Sequence, residues 1–138
     1  QDDWQKTKRE YIAVVEGYVE TMRGTIKEYL KETSTLLTYA TKDKSGKLAV
    51  THYEVLYRSK SHSVLKINIE TGRKNQIRVA MQNMGHPIIG DKKYGATKNP
   101  LRRVCLHASL LEVVHPFRKE VMRFESKMPK EFEIFIRN

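Results

Sequence analysis

The chain has 138 residues, 39% hydrophobic and 30% charged, which supports one domain with one core and excludes a disordered chain. Lysine and arginine number 26 against 16 acidic residues, so the formal charge is +10 and polyanions such as nucleic acid are the favoured partners. One cysteine, Cys105, excludes an internal disulfide and a cysteine-rich zinc site, and no apolar run reaches the roughly 20 residues that a membrane helix needs.

The segment "KREYIAVVEG", 8–17, has the β-branched and aromatic content of a strand. Alternation puts Tyr11, Ala13 and Val15 on one face and Ile12 and Val14 on the other, and Gly17 ends the run. "GTIKEYLKE", 24–32, is ambiguous, because Ile26 and Leu30 carry helical spacing in a short segment. "STLLTYAT", 34–41, predicts a strand, and "KDKSGK", 42–47, a polar turn in which Gly46 is available for a positive φ. "LAVTHYEVLYRS", 48–59, and "HSVLKINIET", 62–71, predict two strands joined as a hairpin. The period then changes. Ile77, Ala80, Met81 and Met84 line one face of a helix over 74–84, with Gly85 as its stop and His86-Pro87 barring continuation. A loop follows over 87–103, carrying Lys92, Lys93, Lys98, Arg102 and Arg103. A second hairpin, 104–116 with 119–126, turns around "HPFRKE". In "MPKEFEIFIR", 128–137, Pro129 suits a first helical turn and Phe132, Phe135 and Ile136 form an apolar stripe. The sum is an α+β fold, mostly antiparallel strands with short flanking helices.

The chemistry concentrates in "TGRKNQIR", 71–78. A strand end followed by a helix start places Arg73, Lys74 and Asn75 where free backbone N–H groups already favour anions. Arg78 sits one turn further on, with a planar fork suited to carboxylate or phosphate. On pattern alone Lys74 is an ordinary solvated charge, and Arg78 divides evenly between a site and a surface pair. Tyr11, flanked by Lys8 and Arg9, is a core or rim residue by default; the alternative is a base-stacking platform with cations near phosphates. The histidines show no zinc-ligand spacing, and there is no P-loop, dinucleotide loop or G-x-S-x-G. Asp2 and Asp3 lie at the chain's edge, Asp43 in a turn, and Asp91 in "IIGDKKYG" as a loop-structuring residue, so no aspartate stands in the apolar setting of a positioned nucleophile. The lone Cys105 suits a reducing, cytoplasmic compartment. The opening "QDDWQKTKREY" has no apolar signal-peptide core and does not begin with Met, which fits a piece of a longer protein.

Taken together, "KREYIAVVEG", "GKLAVTHYEVL", "LKINIETGRKNQIRVAMQNMGHPIIGDKKYG" and "CLHASLLEVVHPFRKEVMRFESKMPKEF" resemble the C-terminal portion of the RluA-type pseudouridine synthase catalytic domain. The family pattern there runs K-x-Y-x-A-x-V-x-G, A-x-T-x-Y-x-V, TGR-x-[HN]-Q-[IL]-R, GHP-I-x-GD-x-x-YG and LHA. The resemblance implies a mixed, largely antiparallel sheet with an RNA-binding cleft. It implies isomerisation of uridine to pseudouridine in structured RNA, ribosomal RNA foremost, with no cofactor and no metal. An aspartate attacks the nucleotide, and the base is detached, turned and rejoined through carbon after the nucleotide is flipped out.

By motif match, Tyr11 corresponds to the catalytic tyrosine that stacks on the uracil and acts in proton removal, and Arg78 to the arginine that pairs with the catalytic aspartate. Leu65 and Ile77 would help line the pocket. Arg73, Lys74 and Asn75, with Lys92, Lys93, Arg102 and Arg103 of the following loop, would form the RNA surface. Asn75 and Ala80 stand where the family often has His. The family's H-R-L-D segment, which carries the nucleophile upstream of the K-x-Y strand, is not in these residues. Residues 1–138 are therefore expected to be a partial catalytic domain, inactive by itself. The alternative is a non-catalytic basic RNA-binding module, and the oligomeric state stays open.

Overall fold

The computed structural model describes residues 5–136. Asp2, Asp3 and the last residue of the 128–137 segment lie outside them. Seven strands form one sheet: β1 (Gln5–Glu16), β2 (Arg23–Glu32), β3 (Thr38–Thr41), β4 (Lys47–Arg58), β5 (His62–Ile69), β6 (Leu106–Val114) and β7 (Val121–Glu125). Their order is β3-β2-β4-β5-β1-β6-β7, and every pairing among the described residues is antiparallel. One α-helix, α1 (Gln76–Asn83), follows β5, and two 3-10 turns lie at Lys92–Tyr94 and Lys130–Phe135.

The ambiguous segment 24–32 is strand β2, paired on both sides with β3 and β4. Residues four apart share a face in a strand as well as in a helix, so the spacing of Ile26 and Leu30 does not discriminate. The strand expected over 34–41 is confined to Thr38–Thr41. Before it the chain turns, with Leu36 at φ 66 and Thr33 Oγ1 accepting the Leu37 N–H at 3.1 Å. Gly46 keeps out of the positive-φ region. Both predicted hairpins form. In the C-terminal 3-10 turn Phe132 and Phe135 are buried but Ile136 is exposed. Three residues per turn eclipse 132 with 135 and rotate 136 away.

The sheet is covered on both faces, which is why Ala13, Val14 and Val15 are all fully buried in β1. Register shows which residues share a face. Tyr11 opposes Ile67, which opposes Tyr53, and two residues from Tyr53 lies Thr51, the hydroxyl that α1 binds through Gln76. So α1 packs on the face of Tyr11, Leu65 and Ile67. The other face carries His62, whose ring nitrogen bonds the Phe135 carbonyl at 2.6 Å and fastens the C-terminal turn. Ile77, Ala80 and Met81 enter the main core as the period predicts, with Met84 packed at its edge. Val79 joins a second, smaller cluster with Leu30, Ala49 and Tyr94. Gly85, at φ 85, ends the helical run.

The 87–103 segment is irregular but ordered by its backbone. Glu16 receives the Thr97 and Lys98 N–H groups at 2.7 and 2.8 Å and the Thr97 hydroxyl at 3.0 Å. Gly90, at φ 86, lets the chain cross so close to the Arg103 carbonyl that a Cβ there would lie 1.9 Å from the oxygen.

Candidate active site and RNA-facing surface

Arg78 leaves the third position of α1, flanked on the helix by buried Ile77 and Val79. Its guanidinium meets Asp91 through two bonds, Nε to Oδ2 at 2.8 Å and Nη2 to Oδ1 at 2.7 Å. Nη1 donates to Asn75 Oδ1 at 3.3 Å, and the guanidinium lies over the Tyr94 ring at 4.9 Å. Asp91 is 1% exposed, while the Arg78 side chain keeps 24% of its surface open. The Asp91 hydrogen bonds raise the basicity of Arg78, with burial working against them. A planar fork on a carboxylate is the strong, directional form of an ion pair.

Tyr94 holds this cluster to the sheet. Its hydroxyl donates to the Thr38 carbonyl at 3.0 Å and accepts the Thr38 N–H at 3.2 Å. Asn75 adopts φ 57 immediately before the helix, and its amide nitrogen reaches the same hydroxyl at 3.5 Å. The expectation for Asp91 needs correction. Its backbone carbonyl does order the loop, accepting from Tyr94 and Ala96, but its carboxylate is buried and turned to Arg78. The signal was the apolar Ile88-Ile89 pair just before it, both residues 2% exposed or less. Gln76 and Thr38 were likewise not singled out by pattern.

Tyr11 is half-buried on the α1 face of β1, opposite Ile67 and Ala108. The β1–β6 register slips between Glu10 and Tyr11, where Ser109 of β6 is the extra residue, while β1 stays in register with β5. Arg9, two residues earlier on the same face, donates to the Glu70 carbonyl at 2.8 Å and lies against Gly72. Leu65 and Ile77 are packed in the main core, 0% and 6% exposed, and Ala80 is buried beside them with no polar group to meet.

The turn between β5 and α1 is held by a buried amide. Gln76 donates to the Val50 carbonyl and Thr51 hydroxyl, and its oxygen accepts the Thr71 hydroxyl at 2.8 Å and the Arg73 N–H at 3.0 Å. Arg73 Nε donates to the Leu48 carbonyl at 2.9 Å. Lys74 pairs with Glu32 at 3.0 Å. Arg103 pairs with Glu131 at 3.1 Å and lies over Phe132, so its guanidinium is turned to the protein. Lys92, Lys93 and Arg102 are exposed and have no carboxylate within 4.0 Å among the described residues. No described helix is long and apolar enough to cross a membrane.

The family model for RNA pseudouridylate synthase matches residues 3–83. An uncharacterized RNA pseudouridine synthase of Bacillus subtilis, YjbO, is 35% identical over 130 residues, covering 94% of this chain and 46% of the relative. The ribosomal large subunit pseudouridine synthase D of Haemophilus influenzae is 34% identical over 146 residues, covering 94% of this chain and 45% of the relative. The solved structure of human RNA Pseudouridylate Synthase Domain Containing 1 superposes with a TM-score of 0.73 at 25% identity, over 91% of this chain and 55% of that one. The chain thus spans about half the length of the relatives it matches.

Proposed function

This chain belongs to the RNA pseudouridylate synthase family, and from that premise we propose that it forms the arginine-bearing half of a site that isomerises uridine to pseudouridine in structured RNA. Ribosomal RNA is the substrate we favour, because a relative's name specifies the large ribosomal subunit. The observation that carries the reading is the locked fork of Arg78 on the sheet face that also holds Tyr11. A guanidinium has five N–H donors. Two go to Asp91 and one to Asn75, which leaves one on each Nη group for a second carboxylate.

In this reading the second carboxylate is the nucleophilic aspartate, supplied from outside these residues. Arg78 orients it, and Tyr11 stacks on the flipped base. Leu65 and Ile77 support the pocket from beneath, and the exposed Lys92, Lys93 and Arg102 meet phosphates. Residues 1–138 are then one part of a catalytic domain. Burial pushes the Cys105 thiol up to about 11, an inert thiol that suits a cytoplasmic protein.

Tritium release from uridine-labelled ribosomal RNA tests the reading. The chain alone should show no turnover, since no group performs the nucleophilic step. A longer polypeptide that adds an H-R-L-D segment upstream should turn over, and Arg78→Met in it should cost about a hundredfold or more in kcat. Turnover by the chain alone, or full activity of the Arg78→Met protein, overturns the proposal. The competing reading, a non-catalytic basic RNA-binding module, draws on the same exposed cations and predicts binding with no turnover in any form.

A further inference from the structure

Beside the Arg78 cluster, on the far side of Thr38, lies an open cavity of about 330 Å³, at the small end of the range for ligand sites. It is bounded by the end of β2, by Thr38, by the Ser45–Gly46–Lys47 turn and by the Gly72–Arg73–Lys74 turn. Thr38 ties the two places together, because it lines the cavity and bonds the Tyr94 hydroxyl.

Four cations and one carboxylate line this cavity, and their partners sort them. Lys31 is held by Asp43 at 2.6 Å and Lys74 by Glu32 at 3.0 Å. Arg73 uses only Nε on the protein, to the Leu48 carbonyl, so both Nη groups lack a partner among the described residues. Lys47 has no carboxylate within 4.0 Å among the described residues and is exposed. Two uncompensated cations therefore face one concave space. The turn that presents Arg73 is fixed in advance by Gln76, which is 2% exposed. Preorganised donors bind an anion with less ordering cost.

Glu32 decides which anion. Its Oε2 is held by Lys74 at 3.0 Å, and its Oε1 has no partner among the described residues. That spare acceptor beside two uncompensated cations favours an anion that brings a hydroxyl donor with it. Among nucleic acids only RNA carries such a donor, the ribose 2′-OH, next to each phosphodiester. We propose that this cavity binds one ribose-phosphate unit of an RNA strand, with Arg73 and Lys47 on the phosphodiester and Glu32 accepting the 2′-OH. The naming of RNA rests on the reading above, but the site needs no turnover to operate.

Amide NMR titration of the chain with a short oligouridylate, its deoxy counterpart and inorganic phosphate tests this. The ribo-oligomer should move the Gly46, Lys47, Gly72, Arg73 and Lys74 amides and bind about tenfold tighter than the deoxy-oligomer, the worth of one hydrogen bond to a charged acceptor. Inorganic phosphate should bind weakest. Lys47→Ala should weaken both oligomers and reduce the salt slope of binding by about 0.7, the value for one lost phosphate contact on a single strand. Glu32→Ala should bring the ribo and deoxy affinities together. Equal wild-type affinities, an unchanged salt slope in Lys47→Ala, or shifts confined to other surfaces overturn the proposal. Binding with this pattern but no isomerisation by the longer polypeptide keeps the cavity and removes the catalytic reading.

Discussion

Two basic regions lie side by side on this protein and work by different physics. At Arg78 the cation is gripped by a buried carboxylate, laid on an aromatic ring and tied through Tyr94 to β3. At the Arg73–Lys47 cavity the cations are exposed, partly compensated and open to salt. The first region holds its guanidinium in one place. The second leaves Arg73 and Lys47 exposed to solvent. Charge count alone does not separate them; burial and partner identity do.

The contrast can be broken most forcefully at Gly90. Gly90→Ala drives a methyl into the Arg103 carbonyl at a positive φ, displacing Asp91 beside it. A loss above about 4 kcal/mol is expected in urea denaturation; a loss under about 1 kcal/mol would mean that the chain crossing is not as tight as described. Next is Asp91→Ala, which strands a half-buried guanidinium and should cost about 3–5 kcal/mol. Replacing both partners, Asp91→Leu with Arg78→Leu, should recover most of that loss, and additive costs would deny the coupling. Tyr94→Phe removes the hydroxyl from both Thr38 bonds and should cost about 1–3 kcal/mol by thermal melting. Lys47→Ala should stay within about 0.5 kcal/mol of wild type, because the cavity contributes charge and not support.

The smallest effect is the pH response of the Lys31–Asp43 pair at the cavity's edge. The Lys31 hydrogen bond and the Ser45 N–H lower Asp43 from 3.8 to about 2. A depressed folded value stabilises above 3.8, and the contribution is lost as pH falls through about 2. The Asp43 hydrogen bond raises Lys31, so its share is present below 10.5 and is lost as pH rises past the folded value. Carboxylate titration by NMR should show the Asp43 midpoint return toward 3.8 in Lys31→Ala. An unchanged midpoint would detach the two residues.

Much of the fold was legible because period two and period 3.6 leave different marks. β1, β4, β5 and α1 follow their apolar patterns within a few residues. β2 was not legible, since a four-residue spacing fits both periods. The shortened β3 was hidden by Leu36, an exposed leucine placed in a turn by a positive φ that composition does not reveal. Of the candidate site, Arg78 stood out by its fork. Its partner did not, because the Asp91 pairing spans 13 residues and is made by a helix meeting a loop in space. Local context showed lysines and glycines around Asp91; the burial comes from Ile88, Ile89 and the sheet behind them. Lys74 and Arg103 read as free charges, and their carboxylates, Glu32 and Glu131, come from distant segments.

The Asn75 backbone sits at φ 57, ψ 19, a conformation that asparagine, aspartate, histidine and glycine adopt with least cost. The family pattern allows histidine or asparagine at this place. Asn75→His should therefore keep the helix entry, while a β-branched replacement such as Asn75→Val should unwind it.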